Sequence, residues 1–191
     1  MKKVLIHTCC ANCLIYPYEV LKREGFEIHI FFYNHIHPFT ELQKRVESVL
    51  KFAQMENLNC IIREEYKLVD FIQNVVFREG NRCLYCYYSR LEATARLAAK
   101  SGFDSFTTTL LYSKQQKHEK IKEISENLSK KFSINFFYRD FREGWQYGIE
   151  KSKELGLYRQ QYCGCIYSEK ERYLGKSDRF KVSKIKENQY K

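Results

Sequence analysis

The sequence predicts a single α/β domain with a parallel sheet, because short apolar segments alternate with amphipathic segments of helical period along most of the chain. Its length, 191 residues, is that of one ordinary domain. With two prolines and eight glycines, the chain contains no stretch typical of a linker. We therefore expect an α/β domain over residues 1–167 and a basic C-terminal helix or tail over residues 168–191.

The strands and helices are expected to alternate. Apolar segments predict strands at 3–7, 27–33, 60–63, 106–111 and 134–138. Segments of helical period predict helices at 16–24, 40–56, 68–76, 83–100, 117–131 and 145–155. In parallel sheets, ligands bind beyond the carboxyl ends of the strands. The loop after the first strand, at 8–13, is therefore the expected position of the functional site.

The net charge favours a polyanionic partner. Lys and Arg number 33 against 23 Asp and Glu, which gives +10, and nucleic acid is the first partner class for such a surplus. The composition, 44% hydrophobic and 29% charged, excludes an intrinsically disordered chain. No apolar run approaches the roughly 18 residues of a membrane span, and the N-terminal apolar run is too short for a signal peptide. We expect a cytoplasmic protein with no membrane partner.

Cysteine is the most informative residue type, because eight cysteines are unusual where structural disulfides are rare. Adjacent cysteines at 9 and 10 reach different iron atoms of one cluster more easily than they reach one zinc ion. The cysteines at 83 and 86 share one face of a predicted helix. Four thiolates, Cys9, Cys10, Cys83 and Cys86, would complete a [4Fe–4S] site. A structural zinc site is the alternative.

The remaining cysteines allow more than one role. Cys13 would ligate a second metal such as an additional mononuclear iron, replace one of the four ligands, or pack in the core. A disulfide between Cys163 and Cys165 would close a small strained ring, and strained disulfides are readily reduced. This pair is therefore typical of a redox-active site, with metal ligation as the alternative. Cys60 stands alone in a predicted strand and is expected in the core.

Two histidines and a tyrosine are candidates for contact with substrate or for proton transfer. His7 ends the first predicted strand and His37 follows the second, so both are expected at the same edge of the sheet. We expect His37 to contact the substrate. Tyr162, next to Cys163, and His7 are the candidate proton donors.

A second set of polar residues suggests contacts with a nucleic acid or another phosphate-bearing substrate. Lys114, Lys117 and His118 surround the start of a polar predicted helix, and a helix N-terminus with cationic neighbours favours phosphate. Arg159 opens the polar, basic run that precedes Cys163. We expect these four residues in the binding site, with an exposed surface helix as the alternative for the first three.

Several motifs in this chain occur together in a known family. They are Leu5-Ile6-His7-Thr8-Cys9-Cys10-Ala11, Phe32-Tyr33-Asn34 with His37-Pro38 and Glu41, Arg82-Cys83 with Cys86-Tyr87, Thr107-Thr108-Thr109-Leu110-Leu111 with Ser113, and Leu157-Tyr158-Arg159-Gln160-Gln161-Tyr162-Cys163-Gly164-Cys165. Together they resemble the QueH family of epoxyqueuosine reductases over roughly residues 4–168. Asn12 departs from the family, which often has proline there, and so does His35-Ile36, where the family often has proline and asparagine.

The resemblance implies a fold similar to the nucleotide-α-hydrolase and PP-loop (HUP-like) folds, and makes residues 1–167 a catalytic domain. It implies reduction of epoxyqueuosine to queuosine at the wobble position of tRNA, the last step of queuosine biosynthesis. Carried over residue by residue, Cys9, Cys10, Cys83 and Cys86 would bind the [4Fe–4S] cluster, and Cys163 with Cys165 would form a redox-active pair. The expected partners are tRNA and an unidentified electron donor. Cobalamin is not expected, because no cobalamin motif is recognisable.

Two functions of other classes stay open at this point. A non-catalytic, zinc-stapled RNA-binding module would bind zinc and would not need the pair at 163 and 165. A PP-loop-like tRNA thiolation enzyme would carry a Ser-Gly-Gly-x-Asp-Ser loop after the first strand. The loop at 8–13 has neither glycine, which argues against a cradle for phosphate.

Overall fold

A five-stranded parallel sheet forms the centre of the protein in a computed structural model that describes residues 1–174. The strand order is β3-β2-β1-β4-β5, and every adjacent pair is parallel. The strands are β1 Lys2–Thr8, β2 Phe26–Phe32, β3 Asn59–Ile62, β4 Ser105–Thr108 and β5 Asn135–Phe136. The predicted α/β class with a parallel sheet is therefore confirmed.

Helices cover both faces of this sheet. They are α1 Ala11–Arg23, α2 Phe39–Met55, α3 Leu68–Val75, α4 Arg82–Lys100, α5 His118–Phe132, α6 Trp145–Glu154 and α7 Ile166–Tyr173. Most predicted boundaries agree with these to within two residues, which is the usual precision of helix and strand ends. Among residues 1–174, no helix combines the length and the apolar character needed to cross a membrane.

The central strand β1 is buried on both faces, which explains its uninterrupted apolar sequence. Leu5 packs into one core cluster with Phe31 and Phe106, against helices α3, α4 and α5. Val4 and Ile6 point to the opposite face, where α1 and α2 close a second cluster. A strand held on both faces and on both edges gives a rigid support to whatever follows it in the chain.

The first helix begins at Ala11 rather than near residue 16, so the prediction of a loop up to Cys13 was wrong. Pro17 consequently lies inside α1, where it removes one backbone hydrogen bond. The helix continues through this position because its apolar face, which includes Leu14 and Leu21, is completely buried. Tertiary burial therefore outweighs the local preference of proline for a helix start.

Strands β4 and β5 are shorter than the sequence indicates. Strand β4 ends at Thr108, and a 3₁₀ turn over Thr109–Leu111 replaces its predicted second half. The Thr108 hydroxyl accepts a hydrogen bond from the Leu110 N–H at 3.1 Å, and such local threonine contacts compete with strand pairing. Strand β5 pairs only with β4, at Ser105 and Phe106, and is limited to two residues.

The predicted boundary between a domain at 1–167 and a tail at 168–191 falls inside α7, Ile166–Tyr173. Arg82 on α4 donates a 2.5 Å hydrogen bond to Glu171, which ties this helix to the body of the protein. The rest of the predicted tail, from residue 175 onward, lies outside the described residues. The division into two parts therefore stays a prediction.

Candidate metal centre and pocket

The site lies where the order of the parallel strands reverses, between the carboxyl ends of β1 and β4. Crevices of this kind are the usual ligand sites of open α/β sheets. Cys9 directly follows β1 and Thr109 directly follows β4. The backbone N–H of Cys9 donates to the Thr109 hydroxyl at 3.0 Å, which joins the two strand ends.

Three cysteines form a compact group at this point. Cys9, Cys10 and Cys13 are buried, and their sulfur atoms all lie within 4.8 Å of one another. The Cys10 Sγ is 3.8 Å from the Cys9 Sγ and 2.7 Å from the Cys13 Sγ. Cys10 is the N-cap residue of α1, and Cys13 lies in the first turn of this helix. Because helix N-termini stabilise anions, this end of α1 suits thiolates, and the three sulfurs together could hold a metal.

The three thiols differ in acidity although they are neighbours. Hydrogen bonds with Cys10 and Cys13 hold the pKa of the Cys9 thiol well below its usual value. Burial raises the pKa of Cys10, and hydrogen bonds with Cys10 and Cys9 raise the pKa of Cys13. Metal binding requires deprotonated sulfur, so a metal at this group would release protons from those thiols that are protonated in its absence.

A second set of sulfurs lies on and around α4. Cys83 and Cys86 are in its first two turns, with Cys86 buried and Cys83 half-buried. Burial raises the pKa of the Cys86 thiol to about 12, and the nearby sulfurs of Cys163 and Cys165 act in the same direction. The structure thus brings Cys86 and the C-terminal pair into one electrostatic environment, which spacing in the sequence did not reveal.

The C-terminal sulfurs are not linked to each other. All eight cysteines lie within residues 1–174, and there they are free thiols. The Gln116 side-chain amide donates to the Cys163 Sγ at 3.1 Å, whereas the Cys165 Sγ lies 3.5 Å from the Ser168 hydroxyl. The two sulfurs therefore have different partners, and the redox role of the pair stays a prediction.

Side chains of α2 hold the segment that carries this pair. Tyr158 donates to Glu41 at 2.6 Å, and Glu41 in turn accepts from the Arg45 Nε at 2.7 Å. The Arg45 Nη2 donates to the backbone carbonyl of Tyr162 at 3.1 Å. Because Glu41 and Arg45 are both buried, this ion pair fixes the C-terminal segment above the end of the sheet.

Gly164 is required in this segment for two reasons. Its φ of +132° is a conformation that residues with a side chain rarely adopt. A Cβ at this position would also lie 2.3 Å from the His37 Nε2. The backbone between Cys163 and Cys165 therefore packs directly on the His37 ring, and glycine is the residue that permits the approach.

A cavity of about 550 Å³ opens in front of the sulfurs. Its wall includes three cysteines and four arginines: Cys9, Cys13, Cys163, Arg45, Arg90, Arg159 and Arg172. Side-chain amides, the Tyr162 ring and Trp145 complete it, and Trp145 stacks on Tyr112 with ring centroids 5.3 Å apart. Glu171 is the acidic residue of this wall, and Arg82 pairs with it. The pocket thus combines thiol sulfur, positive charge and an aromatic surface.

Two of the predicted polar residues, Arg159 and Tyr162, line this cavity. Burial raises the pKa of the Tyr162 phenol to about 12, so the phenol keeps its proton at neutral pH. Lys114 and Lys117 are exposed at the start of α5 and do not line the cavity. His118 is buried, with its Nε2 3.1 Å from the Tyr138 hydroxyl, rather than exposed at the helix end.

The histidines His7 and His37 lie beneath the site rather than in its wall. The His7 Nδ1 is 2.9 Å from the Thr108 hydroxyl and its Nε2 is 3.3 Å from the Tyr33 carbonyl oxygen. Burial lowers the pKa of His7 to about 3 and lowers that of His37 well below its usual value. Both rings are therefore neutral at physiological pH, and His7 has no free ring nitrogen to offer a substrate.

Sequence reasoning missed the buried cations and the amides that surround the sulfurs. Arg90 donates to the Cys86 Sγ at 2.6 Å, and Gln160 donates to the Cys10 Sγ at 2.9 Å. A signal was present for the arginines, since Glu41 precedes Arg45 and Cys86 precedes Arg90 by one helical turn. For Gln160, which lies 150 positions from Cys10, the sequence contains no comparable signal.

Comparison with known proteins assigns the chain to a family. A family model described as epoxyqueuosine reductase QueH matches residues 4–171. The chain belongs to the QueH family. A relative named epoxyqueuosine reductase QueH from Dehalococcoides mccartyi is 37% identical over 172 residues, which cover 90% of this chain and 94% of the relative. Another from Thermotoga maritima is 40% identical over 184 residues, which cover 90% and 93%. The resemblance found in the motifs is thereby confirmed.

A solved structure outside the QueH family has a similar fold. It is described as a predicted subunit of a tRNA methyltransferase from Methanocaldococcus jannaschii. The match has a TM-score of 0.55 at 12% identity and covers 81% of this chain and 75% of the other. At this identity the likeness concerns the fold alone.

Proposed function

We propose that this chain carries out the reaction for which the QueH family is named, the reduction of epoxyqueuosine in tRNA to queuosine. Membership of the family supports the reaction. The observation that carries the assignment is the group of Cys9, Cys10 and Cys13 at the strand-order reversal, in front of a cationic pocket. Such a pocket can place a reducible group next to sulfur and hold an anionic nucleic acid beside it.

An iron–sulfur cofactor is consistent with the chemistry of the residues around the pocket. Three buried thiols lie within 4.8 Å of one another, and two buried arginines balance negative charge nearby. A [4Fe–4S] cluster is larger than one ion, so its ligands need not all lie so close together. The proposed ligands are Cys9, Cys10, Cys83 and Cys86, and the proximity of Cys13 to Cys10 supports a part for Cys13 as an additional ligand, for instance to a mononuclear iron. When bound, such a group supplies single electrons and a Lewis-acidic metal.

The overall reaction requires two electrons and two protons. Both C–O bonds of the epoxide break, an alkene forms between the two carbons, and the oxygen leaves as water. Oxidation of two thiols to one disulfide releases two electrons and two protons, which equals this demand. We propose Cys163 and Cys165 as that dithiol, to be reduced again by a cellular electron donor.

Residues of the pocket wall then have distinct tasks. Tyr162 lines the cavity with a protonated phenol, which supports it as the proton donor to the leaving oxygen. His7 is a weaker candidate, because both of its ring nitrogens have partners inside the protein. His37 acts through Gly164, on which its ring packs, rather than by touching substrate. Trp145, stacked on Tyr112, offers an aromatic face to a base.

The test of this function combines metal content with turnover. Anaerobically prepared protein should contain about four irons for each cluster site and should convert epoxyqueuosine in tRNA to queuosine with a chemical reductant. Serine in place of Cys9, Cys10, Cys83 or Cys86 should sharply lower iron content and activity together. Cys60→Ser is the matched control, because Cys60 lies on β3 away from the pocket. A colourless protein with stoichiometric zinc would overturn the proposal and favour an RNA-binding module.

Variants of Cys163 and Cys165, the proposed redox pair, should affect turnover and iron content differently. Cys163→Ser and Cys165→Ser should each abolish turnover while iron content stays nearly unchanged, since neither is a proposed ligand. Loss of iron in these variants would mean that they are ligands and that our division of the cysteines is wrong. Activity that survives with a chemical reductant would limit the pair to relaying electrons from the cellular donor.

Binding of tRNA is proposed to use the cationic rim around the pocket, with Arg159 in its wall and the exposed Lys114 and Lys117 next to the start of α5. The predicted contribution of His118 is dropped, because its ring is buried inside the protein. Neutralised phosphates release counterions, so affinity should fall steeply as salt rises. Lys117→Glu should weaken binding of several tRNAs alike and flatten the salt dependence. Lys2→Glu, at the opposite end of β1, makes the same charge change and should have little effect. Equal effects of the two changes in a filter-binding titration would contradict this surface.

A further inference from the structure

Arg90 is a buried cation at the wall of the pocket. Its side chain, on α4, is 2% exposed. Its Nε donates to the Cys86 carbonyl oxygen at 3.0 Å, and its Nη1 donates to the Asn34 Oδ1 at 3.0 Å. Its Nη2 donates to the Cys86 Sγ at 2.6 Å. Among the residues that the structure describes, no carboxylate pairs with Arg90.

A guanidinium in this position needs an anion, because a buried charge without a counter-charge is strongly unfavourable. The buried Arg45 has Glu41 for this purpose. For Arg90 the available anion is sulfur, in the form of a Cys86 thiolate held by a metal. The hydrogen bond and the charge both favour electron density on that sulfur.

Two further donors are directed at sulfurs of the proposed ligands. The Thr109 hydroxyl lies 3.3 Å from the Cys9 Sγ, and the Gln160 amide lies 2.9 Å from the Cys10 Sγ. Asn12 orients this amide, since its Nδ2 donates to the Gln160 Oε1 at 3.1 Å. Three of the four proposed ligands therefore each accept a hydrogen bond from a side chain other than a cysteine.

We infer that Arg90, together with Gln160 and Thr109, raises the reduction potential of the iron–sulfur cofactor by donating hydrogen bonds to its ligand sulfurs. The inference rests on the proposed function. Hydrogen bonds to ligand sulfur stabilise the more negative, reduced state and are among the main determinants of cluster potential. Arg90 has the largest influence, because a charge-assisted hydrogen bond in a buried site is stronger than a neutral one. These residues adjust the reduction potential of the cofactor and act on the substrate only through it.

The test is an anaerobic redox titration of the cluster-loaded protein, followed by its visible and electron paramagnetic resonance spectra. In Arg90→Gln, the ratio of reduced to oxidised cofactor at a fixed potential should fall about tenfold, equivalent to about 59 mV for a one-electron couple. Arg96→Gln is the control, because Arg96 is exposed on the same helix and pairs with Glu92. An unchanged potential in Arg90→Gln at full iron content overturns the inference.

Two variants that remove uncharged hydrogen-bond donors provide a second test if Arg90→Gln loses iron or fails to fold. Thr109→Val and Gln160→Leu should each lower the same ratio by a smaller factor, about twofold to fivefold. Thr107→Val is the control for the first, because its buried hydroxyl makes no hydrogen bond. If neither variant changes the potential, the inference is wrong.

The same measurements distinguish failure of this inference from failure of the proposed function on which it rests. Wild-type protein without a cluster spectrum would contradict the proposed function itself. A wild-type cluster with an altered KM for tRNA and an unchanged potential in Arg90→Gln would show instead that Arg90 contacts the substrate, which also overturns the inference.

Discussion

The two sulfur-bearing segments of the pocket are held in different ways. Cys9, Cys10 and Cys13 lie between the central strand β1 and the first turn of α1, so secondary structure fixes their backbone. Cys163 and Cys165 lie on an irregular segment, which a few side chains of α2 hold in place. The first segment belongs to the core of the fold, whereas the second is attached to it.

This difference bears on how each segment responds to change. Displacing the first group requires disruption of a strand that is buried on both faces and paired on both edges. Displacing the second requires the loss of side-chain contacts, chiefly those made by Glu41, Arg45 and Gly164. The hydrogen bonds of Gln160 and Gln116 must be lost with them. The proposed metal binding should therefore tolerate substitutions well, whereas the proposed redox pair should be sensitive to them.

Among the variants that test how the C-terminal segment is held, Glu41→Gln should have the largest effect on stability. This change leaves Arg45 buried without a full counter-charge and should lower the free energy of unfolding by about 3 kcal/mol. It also weakens the contact to Tyr158, so turnover should fall more than iron content. Urea denaturation gives the stability, and iron analysis with a turnover assay gives the rest.

The matched control for this prediction is Glu123→Gln, which breaks the exposed pair of Glu123 with Lys120. It should alter stability by no more than about 0.5 kcal/mol. An equally small stability change in Glu41→Gln, or a loss of iron larger than the loss of turnover, would contradict the inference that side chains of α2 hold the C-terminal segment in place.

A smaller and more local effect is expected from Gly164→Ala. The added Cβ meets His37 and forces the backbone away from φ +132°, so Cys163 and Cys165 move. Turnover should fall on the order of a hundredfold, since misplacing reacting groups by an ångström has effects of that size. Iron content should be unchanged.

Gly102→Ala provides the comparison, because Gly102 also has a positive φ, +69°, but a Cβ there meets nothing within 4 Å. It should reduce stability slightly and leave turnover intact. Equal loss of turnover in the two variants, in assays at matched protein stability, would mean that the close contact with His37 has no role in placing the pair.

Features that depend on residues close together in the chain could be predicted from the sequence. The parallel α/β fold and the clustering of Cys9, Cys10 and Cys13 follow from local patterns, namely alternating apolar segments and close spacing after a strand. Arg159 and Tyr162 could be placed near the site because they precede Cys163 directly. These features depend on neighbours in the chain.

The rest depends on contacts between distant positions. Tyr158 and Glu41 are 117 positions apart, and nothing in either local sequence indicates their hydrogen bond. The burial of Arg90 is equally invisible, because an arginine in an amphipathic helix is ordinarily exposed. The start of α1 was misjudged for a related reason, since burial of its apolar face outweighs the preference of Pro17 for a helix start. The histidines were placed at the correct edge of the sheet, but burial beneath the surface removed His7 from the pocket wall.

The start of α1 at Ala11 determines which groups the positive end of this helix faces. In parallel α/β proteins, the helix that follows the first strand commonly directs its free N–H groups at a phosphate. Here the same positive helix end faces Cys9, Cys10 and Cys13. Sulfur thus occupies the position at which such a helix end ordinarily binds phosphate. A nucleotide phosphate would therefore meet sulfur at this position, and ATP should neither protect the protein against thermal unfolding nor compete with the metal that we propose for these cysteines.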